Sequence, residues 1–149
     1  MTSVRGAQDQ VVLGEIADDD VAAVVALWQE CGLTRPWNDP DVDVADARRN
    51  PTSTVLVARR DGAVVGTAMA GYDGHRGWVS YVAVAPATRT TGIGRALVRA
   101  AEQWLAGVGA TKVQLMVRST NGAVQGFYAR LGYTDQETVV LGRWLDGRR

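Results

Sequence analysis

The sequence predicts a mixed α/β domain whose central sheet has about six or seven strands. Three observations carry that prediction. Short β-branched runs such as Thr54 to Arg59 are joined by turn dipeptides such as Asp61-Gly62. Between residues 78 and 117 a strand, a long amphipathic helix and a second strand follow one another, a right-handed crossover that forces a parallel pair at the sheet centre. Apolar residues before and after that unit recur at 3–4 spacing, so helices cover the sheet.

The elements follow in order. Residues 1–10 read as a flexible N-terminus, and 11–149 as a single domain. Val11, Val12 and Leu13 form a first strand. Asp18, Asp19 and Asp20 supply the N-cap and an acidic first turn for a helix that buries Val21, Val24, Val25, Trp28 and Cys31 and ends at Gly32. Leu33 to Pro40 holds two prolines and an Asn-Asp pair, a stiff loop. Asp41 to Arg49 is a short polar helix stopped by Asn50-Pro51. Thr54–Arg59 and Ala63–Gly71 make a hairpin, and the turn Tyr72 to Gly77 leads into Trp78–Ala85, apolar on both faces and therefore central. Ile93, Leu97, Ala100, Ala101, Trp104, Leu105 and Val108 line one helix face. Thr111–Val117 is the next strand, Gly122–Leu131 the next helix, and Tyr133–Leu145 one or two last strands. Trp28, Trp78, Trp104 and Trp144 read as core residues, and Cys31 as packing rather than a nucleophile.

Composition narrows the function. Of 149 residues, 46% are hydrophobic and 21% charged, and sixteen basic residues balance sixteen acidic ones, which gives no reason to expect nucleic-acid or membrane binding. One cysteine, Cys31, and one histidine, His75, exclude a disulfide framework and a Cys/His metal site. Met1 to Gln10 lacks the apolar centre of a signal peptide, and no apolar run nears the roughly 20 residues that span a bilayer. The expectation is a reduced, cytoplasmic protein without a metal.

Chemistry concentrates at Val82 to Arg95. An apolar strand runs into Arg89-Thr90-Thr91-Gly92-Ile93-Gly94-Arg95, which opens the long helix. The first N–H groups of a helix lack partners and carry partial positive charge, so they form an anion site. Gly92 and Gly94 let a phosphate approach the backbone, and Arg89 and Arg95 add charge. Leu97 occupies the third glycine position of a dinucleotide fingerprint, and no P-loop pattern occurs. By itself the stretch fits an anion site and a simple helix-starting turn equally well.

A second motif, Asn121-Gly-Ala-Val-Gln-Gly-Phe127-Tyr128-Ala-Arg-Leu-Gly132-Tyr133, follows the next strand. The two together, in this order, resemble the GNAT superfamily of acetyl-CoA-dependent N-acyltransferases from about residue 11 to the end. Arg35-Pro-Trp-Asn-Asp-Pro40 and Gly71-Tyr-Asp-Gly-His-Arg-Gly77 are similar to a bacterial subgroup typified by the YpeA acetyltransferase. The resemblance implies a sheet with a splayed parallel pair and acetyl-CoA as acyl donor. Backbone groups of Arg89, Thr90, Thr91, Gly92, Ile93, Gly94 and Arg95 would take the pyrophosphate. The edge at Val82 to Val84 would take the pantetheine arm, and Asn121 would contact it. The N–H of Val82 would face the thioester oxygen, and Tyr128 would protonate the leaving thiolate. A homodimer is compatible with the family.

The sequence also departs from that pattern. Thr90 and Thr91 stand where many relatives carry glycine and a polar or basic residue, and Gly77 to Ser80 lacks the glutamate base of some members. Asp73 and His75 are the candidates to take the acceptor's proton, and Asp73 could instead hold a cationic amine; the bland alternative is a solvated hairpin turn. Trp37, Asn38 and Asp39, with Tyr72, are candidates for the wall of the acceptor pocket, where an aromatic ring beside carboxylates suits a cation. The alternative is that Pro-Trp packs on the core and Asn-Asp caps the next helix. The expectation is a direct transfer from acetyl-CoA to a primary amine, small molecule or peptide. A module that binds acyl-CoA without turnover is the second possibility, and another phosphate-ligand binder the third.

Overall fold

The computed structural model describes residues 10–149, so the expected flexible N-terminus lies outside the described residues apart from Gln10. The chain divides into two compact units, the second being Val117–Arg149. In the first, β1 (Val11–Glu15) is followed by a 3-10 turn (Asp18–Asp20), α1 (Val21–Glu30) and α2 (Pro40–Arg49). Then come β2 (Ser53–Arg60), β3 (Ala63–Tyr72), β4 (Gly77–Val84), a 3-10 turn (Pro86–Thr88), α3 (Ile93–Gly107) and β5 (Val113–Leu115). The second unit holds α4 (Gly122–Arg130).

The five strands are ordered β1-β2-β3-β4-β5. The first three pairings are antiparallel, and β4 pairs with β5 in parallel. Asp61 and Gly62 both have positive φ, 51° and 78°, as a two-residue I′ hairpin turn requires. The strand expected over Tyr133–Leu145 is absent among the described residues, so the sheet has five strands rather than six or seven, and its parallel pair sits at one end. The physical reason is context. Val139, Val140, Leu141 and Leu145 are β-forming or apolar but exposed, and within the second unit no strand offers them a ladder. Trp144 and Trp78 are likewise exposed rather than core.

Alternation along β2 explains its unbroken apolar run. Val55 and Val57 face a core with Val24, Leu27 and Trp28 of α1 and Val44 of α2, whereas Leu56 and Ala58 face a core with Leu97, Ala101 and Leu105 of α3. Gly66 of β3 makes the close seat of α3 possible. A Cβ there would lie 2.7 Å from Leu97 Cδ1 and 3.1 Å from Ile93 Cγ2. At the entry to α1, Asp20 accepts the Ala17 N–H at 2.8 Å and pairs with the Arg59 guanidinium. Arg59 foremost holds that carboxyl below its ordinary value.

One irregularity in β4 shapes the site. Thr67 pairs with Ala83 and Met69 with Ser80, so Tyr81 and Val82 together oppose Ala68 in a β-bulge. Tyr81 adopts φ 48°, a left-handed conformation costly for a side chain of its size. A buried network holds it there. The Tyr81 ring stacks on Trp28 at 3.8 Å and 11°. Trp28 Nε1 donates to Thr67 Oγ1 at 2.9 Å, Thr67 Oγ1 donates to the Tyr81 carbonyl at 2.8 Å, and the Tyr81 hydroxyl donates to Asp43 Oδ2 at 2.6 Å. Past the bulge β4 has left its parallel partner, because the β4–β5 ladder ends at Val79–Leu115.

Three stability outcomes are expected. Thr67→Val orphans the Trp28 indole and frees the bulge, costing about 1–3 kcal/mol in urea unfolding. Gly66→Ala overpacks against Leu97 and costs about 1–3 kcal/mol in the same measurement. Because the folded value of Asp20 lies below its ordinary 3.8, its contribution is complete above that pH and is lost as pH falls through the folded value. Melting temperature in acid should therefore fall less steeply in Asp20→Asn than in the parent protein.

Candidate active site

The C-terminal half of β4, the turn after it and the first turn of α3 form one continuous candidate surface in the first unit. Val82 and Val84 lie beyond the last β4–β5 pair, on the stretch where the two parallel strands separate. Gly92 caps α3 with φ 85° and ψ 5°, and a Cβ there would meet nothing within 4 Å. Glycine is demanded by the backbone conformation, and the space beside it is open. Thr90 also has positive φ, 69°, and the Thr91 hydroxyl donates to the Thr88 carbonyl. The turn is thus tied to its own backbone, leaving the N–H groups at Ile93, Gly94 and Arg95 at the positive end of a 15-residue helix. Arg95 is exposed beside them. Arg89 is exposed too, but its guanidinium turns back: Nε donates to the Val84 carbonyl at 3.3 Å and Nη2 lies 3.7 Å from Cys31 Sγ. Cys31 packs beneath, its thiol 3.5 Å from the same carbonyl.

In the second unit Asn121 caps α4, its side chain accepting the Val124 N–H at 3.2 Å. Tyr128 is buried, with Phe127 and Tyr133 edge-on at 5.0 and 5.6 Å. Burial pushes its phenol up to about 12.

The hairpin turn proves to be built on Asp73. Its Oδ1 accepts the N–H groups of Arg76 and His75 at 2.7 and 2.8 Å, and its Oδ2 accepts Trp78 Nε1 at 3.1 Å. Those bonds, Arg76's foremost, hold the exposed carboxyl below its ordinary value. His75 is exposed, with Nδ1 3.5 Å from the Arg76 guanidinium. Asp39 caps α2 through Asp41 N and Val42 N, Asn38 sits in the preceding turn, and Trp37 is 47% exposed. Tyr72 packs on the α3-side core.

An open-sided cavity of about 310 Å³ lies on the opposite, α2-side face. Asp43 and Asp46 of α2 and Asn50 just past its end form one wall, Trp78, Ser80 and Tyr81 of β4 the other, and β3 the floor. Trp37, Asn38, Asp39, Tyr72 and Asp73 are not among its lining residues. Asp73 reaches it indirectly, by holding the Trp78 indole. The lining acids were missed because α2 reads simply as polar. The available signal was spacing: residues 43, 46 and 50 share a helical face, and 78 and 80 share a strand face.

Among the described residues no helix is long and apolar enough to cross a membrane. The Acetyltransferase (GNAT) family matches residues 21–133. An acetyltransferase of Yersinia pestis (strain Pestoides F) is 42% identical over 127 residues, covering 85% of this chain and 90% of its own. One from Pectobacterium atrosepticum is 43% identical over the same length, with the same coverage. Among solved structures, AAC(6')-Iy in complex with a bisubstrate analogue of coenzyme A superposes with a TM-score of 0.80 at 16% identity, over 91% of this chain and 99% of that one. Glucosamine-6-phosphate N-acetyltransferase from Arabidopsis thaliana gives 0.71 at 16% identity, over 93% and 100%. A sheet opened past Val79, a glycine-capped helix after it, and relatives of this similarity along most of the sequence lead to one conclusion: the chain belongs to the GNAT family and is an acetyltransferase.

Proposed function

We propose that the protein transfers the acetyl group of acetyl-CoA to a primary amine by direct attack in a ternary complex. The observation that carries this reading is the Gly92-capped start of α3 following the end of β4 that pairs with β3 but has left β5, an anion site next to a strand edge past its parallel ladder. The coenzyme A pyrophosphate is taken by backbone N–H groups between Arg89 and Arg95, with Thr90, Thr91 and Ile93 contributing through their backbones. That independence from side chains makes the two threonines harmless. Val82 and Val84 present strand groups to the pantetheine arm, and Asn121 contacts the arm near its thiol end. The Val82 amide lies in the bulge with Tyr81 and, in this reading, serves the thioester oxygen as charge develops there.

Tyr128 is the donor to the leaving sulfur. A phenol near 12 is fully protonated at neutral pH. It is also over three units less acidic than an ordinary thiol of about 8.5, so the energetics favour a hydrogen bond to the departing thiolate over complete proton transfer. Both oxygens of Asp73 are committed to the turn and to Trp78, which suits a positioning residue better than a base. His75 is then the candidate relay for the acceptor's proton, through water. The loop Arg35–Pro40 and the turn Gly71–Gly77 support membership of the YpeA-type subgroup.

Thiol release from acetyl-CoA with a panel of primary amines tests the reading. Tyr128→Phe should slow release about 100-fold while leaving acetyl-CoA affinity nearly unchanged, and equal rates would remove the assigned donor. With the phenol near 12, no loss of rate attributable to it should occur up to about pH 11. Coenzyme A at a hundred times its Kd should raise the melting temperature by about 5–10 °C, whereas NAD and ATP should not. Absence of that shift would overturn the cosubstrate assignment.

A further inference from the structure

We propose that the cavity between α2 and β4 is the acceptor site, and that it selects primary amines whose remaining structure is neutral or cationic, with Asp43 as the residue that pairs with the ammonium group. The inference rests on the acetyl-transfer reading above and adds the acceptor's charge class to it.

Four observations converge. The cavity is an open-sided recess of about 310 Å³, near the lower end of the roughly 300–1,000 Å³ typical of small-molecule sites, which suits a short chain. It abuts the bulge: Ser80 and Tyr81, which line it, immediately precede Val82. An amine seated there approaches the atom that the Val82 N–H activates. The walls carry the Asp43 and Asp46 carboxylates and the Trp78 and Tyr81 rings, but no lysine, arginine or histidine. An alkylammonium, with an ordinary pKa of about 10.4, enters charged and finds both an ion-pair partner and aromatic surface. An anion near the amine finds no basic residue lining the cavity and meets the Asp43 carboxylate.

Asp43 is the better placed of the two acids. It is half-buried, and the Tyr81 hydroxyl fixes its Oδ2 at 2.6 Å, which orients the carboxylate while leaving Oδ1 without a hydrogen bond to Tyr81. Tyr81 itself is pinned by Trp28 and Thr67, so the carboxylate is held by the network that makes the bulge. Burial first, and the Asp43 bond second, push the Tyr81 phenol upward, which keeps it a donor. Asp46 is more exposed and pairs with Arg49 one helical turn on, a surface pair that a second ammonium can displace at small cost.

Three amines of nearly equal length separate charge from size: putrescine, n-butylamine and 4-aminobutyrate. Calorimetry with the full chain in the presence of coenzyme A should give affinities in that order, with 4-aminobutyrate weaker than putrescine by about tenfold or more. Asp43→Asn keeps an oxygen to accept the Tyr81 hydroxyl, so its melting temperature should stay near the parent's. It should weaken putrescine and n-butylamine alike by about tenfold. Asp46→Asn should mainly narrow the gap between those two, and it tests the charge assignment if Asp43→Asn melts early. Equal affinity for 4-aminobutyrate and putrescine, no heat with putrescine, or Asp43→Asn and Asp46→Asn both binding like the parent would each overturn the inference. Thiol release from acetyl-CoA, measured in separate samples with the same three amines and variants, distinguishes the two readings. Binding in the stated order without acetyl transfer upholds the cavity and removes the enzymatic reading; transfer without that order does the reverse.

Discussion

The site depends on one hydrogen bond that no ladder requires, from the Thr67 hydroxyl to the Tyr81 carbonyl. A bulky aromatic residue in the left-handed region is unfavourable by order 1 kcal/mol or more, and it persists only where its surroundings fix it from several sides. Thr67 supplies one constraint and passes it on, since the same oxygen accepts the Trp28 indole whose ring lies flat on Tyr81. Asp43 supplies another at the far end of the phenol. Three residues, from α1, α2 and β3, thus converge on one residue of β4. Because the indole, the threonine hydroxyl and the phenol each find an acceptor, the network rigidifies where a half-paired one would be a liability.

That convergence links two surfaces that look separate. On one side of the bulge lies the strand edge and the glycine-capped helix, the surface proposed for coenzyme A. On the other lies an acidic, aromatic-walled recess. The residue between them, Val82, is displaced by the extra residue that Tyr81 inserts. A rigid bulge fixes the spacing between the two surfaces, and correct spacing of two reactants is among the largest contributions a protein can make to a bimolecular reaction.

Much of this was legible in the sequence, for identifiable reasons. The β2–β3 hairpin follows from Asp61-Gly62, the amphipathic α3 from its apolar spacing, and the helix cap from Gly92, because each signal is local and its chemistry has few alternatives. The bulge was not legible: Tyr81 is a poor residue for a left-handed position, and the partners that hold it there lie 14 to 53 residues away. The strand expected after Tyr133 failed for the opposite reason, since β-propensity is strong at Val139 to Leu141 but pairing needs a neighbour. Asp39 illustrates a third case. Its residue type served both a pocket wall and a helix cap, and the observed bonds to Asp41 and Val42 are those of the cap.

The strand order has a bearing on how the molecule assembles. Every sheet neighbour is also the next strand along the chain, so the β2–β3–β4 meander closes through two tight turns at little entropic cost. The outer strands come by longer connections: α1 and α2 intervene before β1 can pair with β2, and α3 before β5 can pair with β4. The opened edge therefore belongs to the shortest pairing, one outside the meander, and the meander's own ladders do not rely on it. An opening placed at such a seam interrupts none of the meander's contacts, which is a physical reason for this architecture to tolerate an incomplete ladder there.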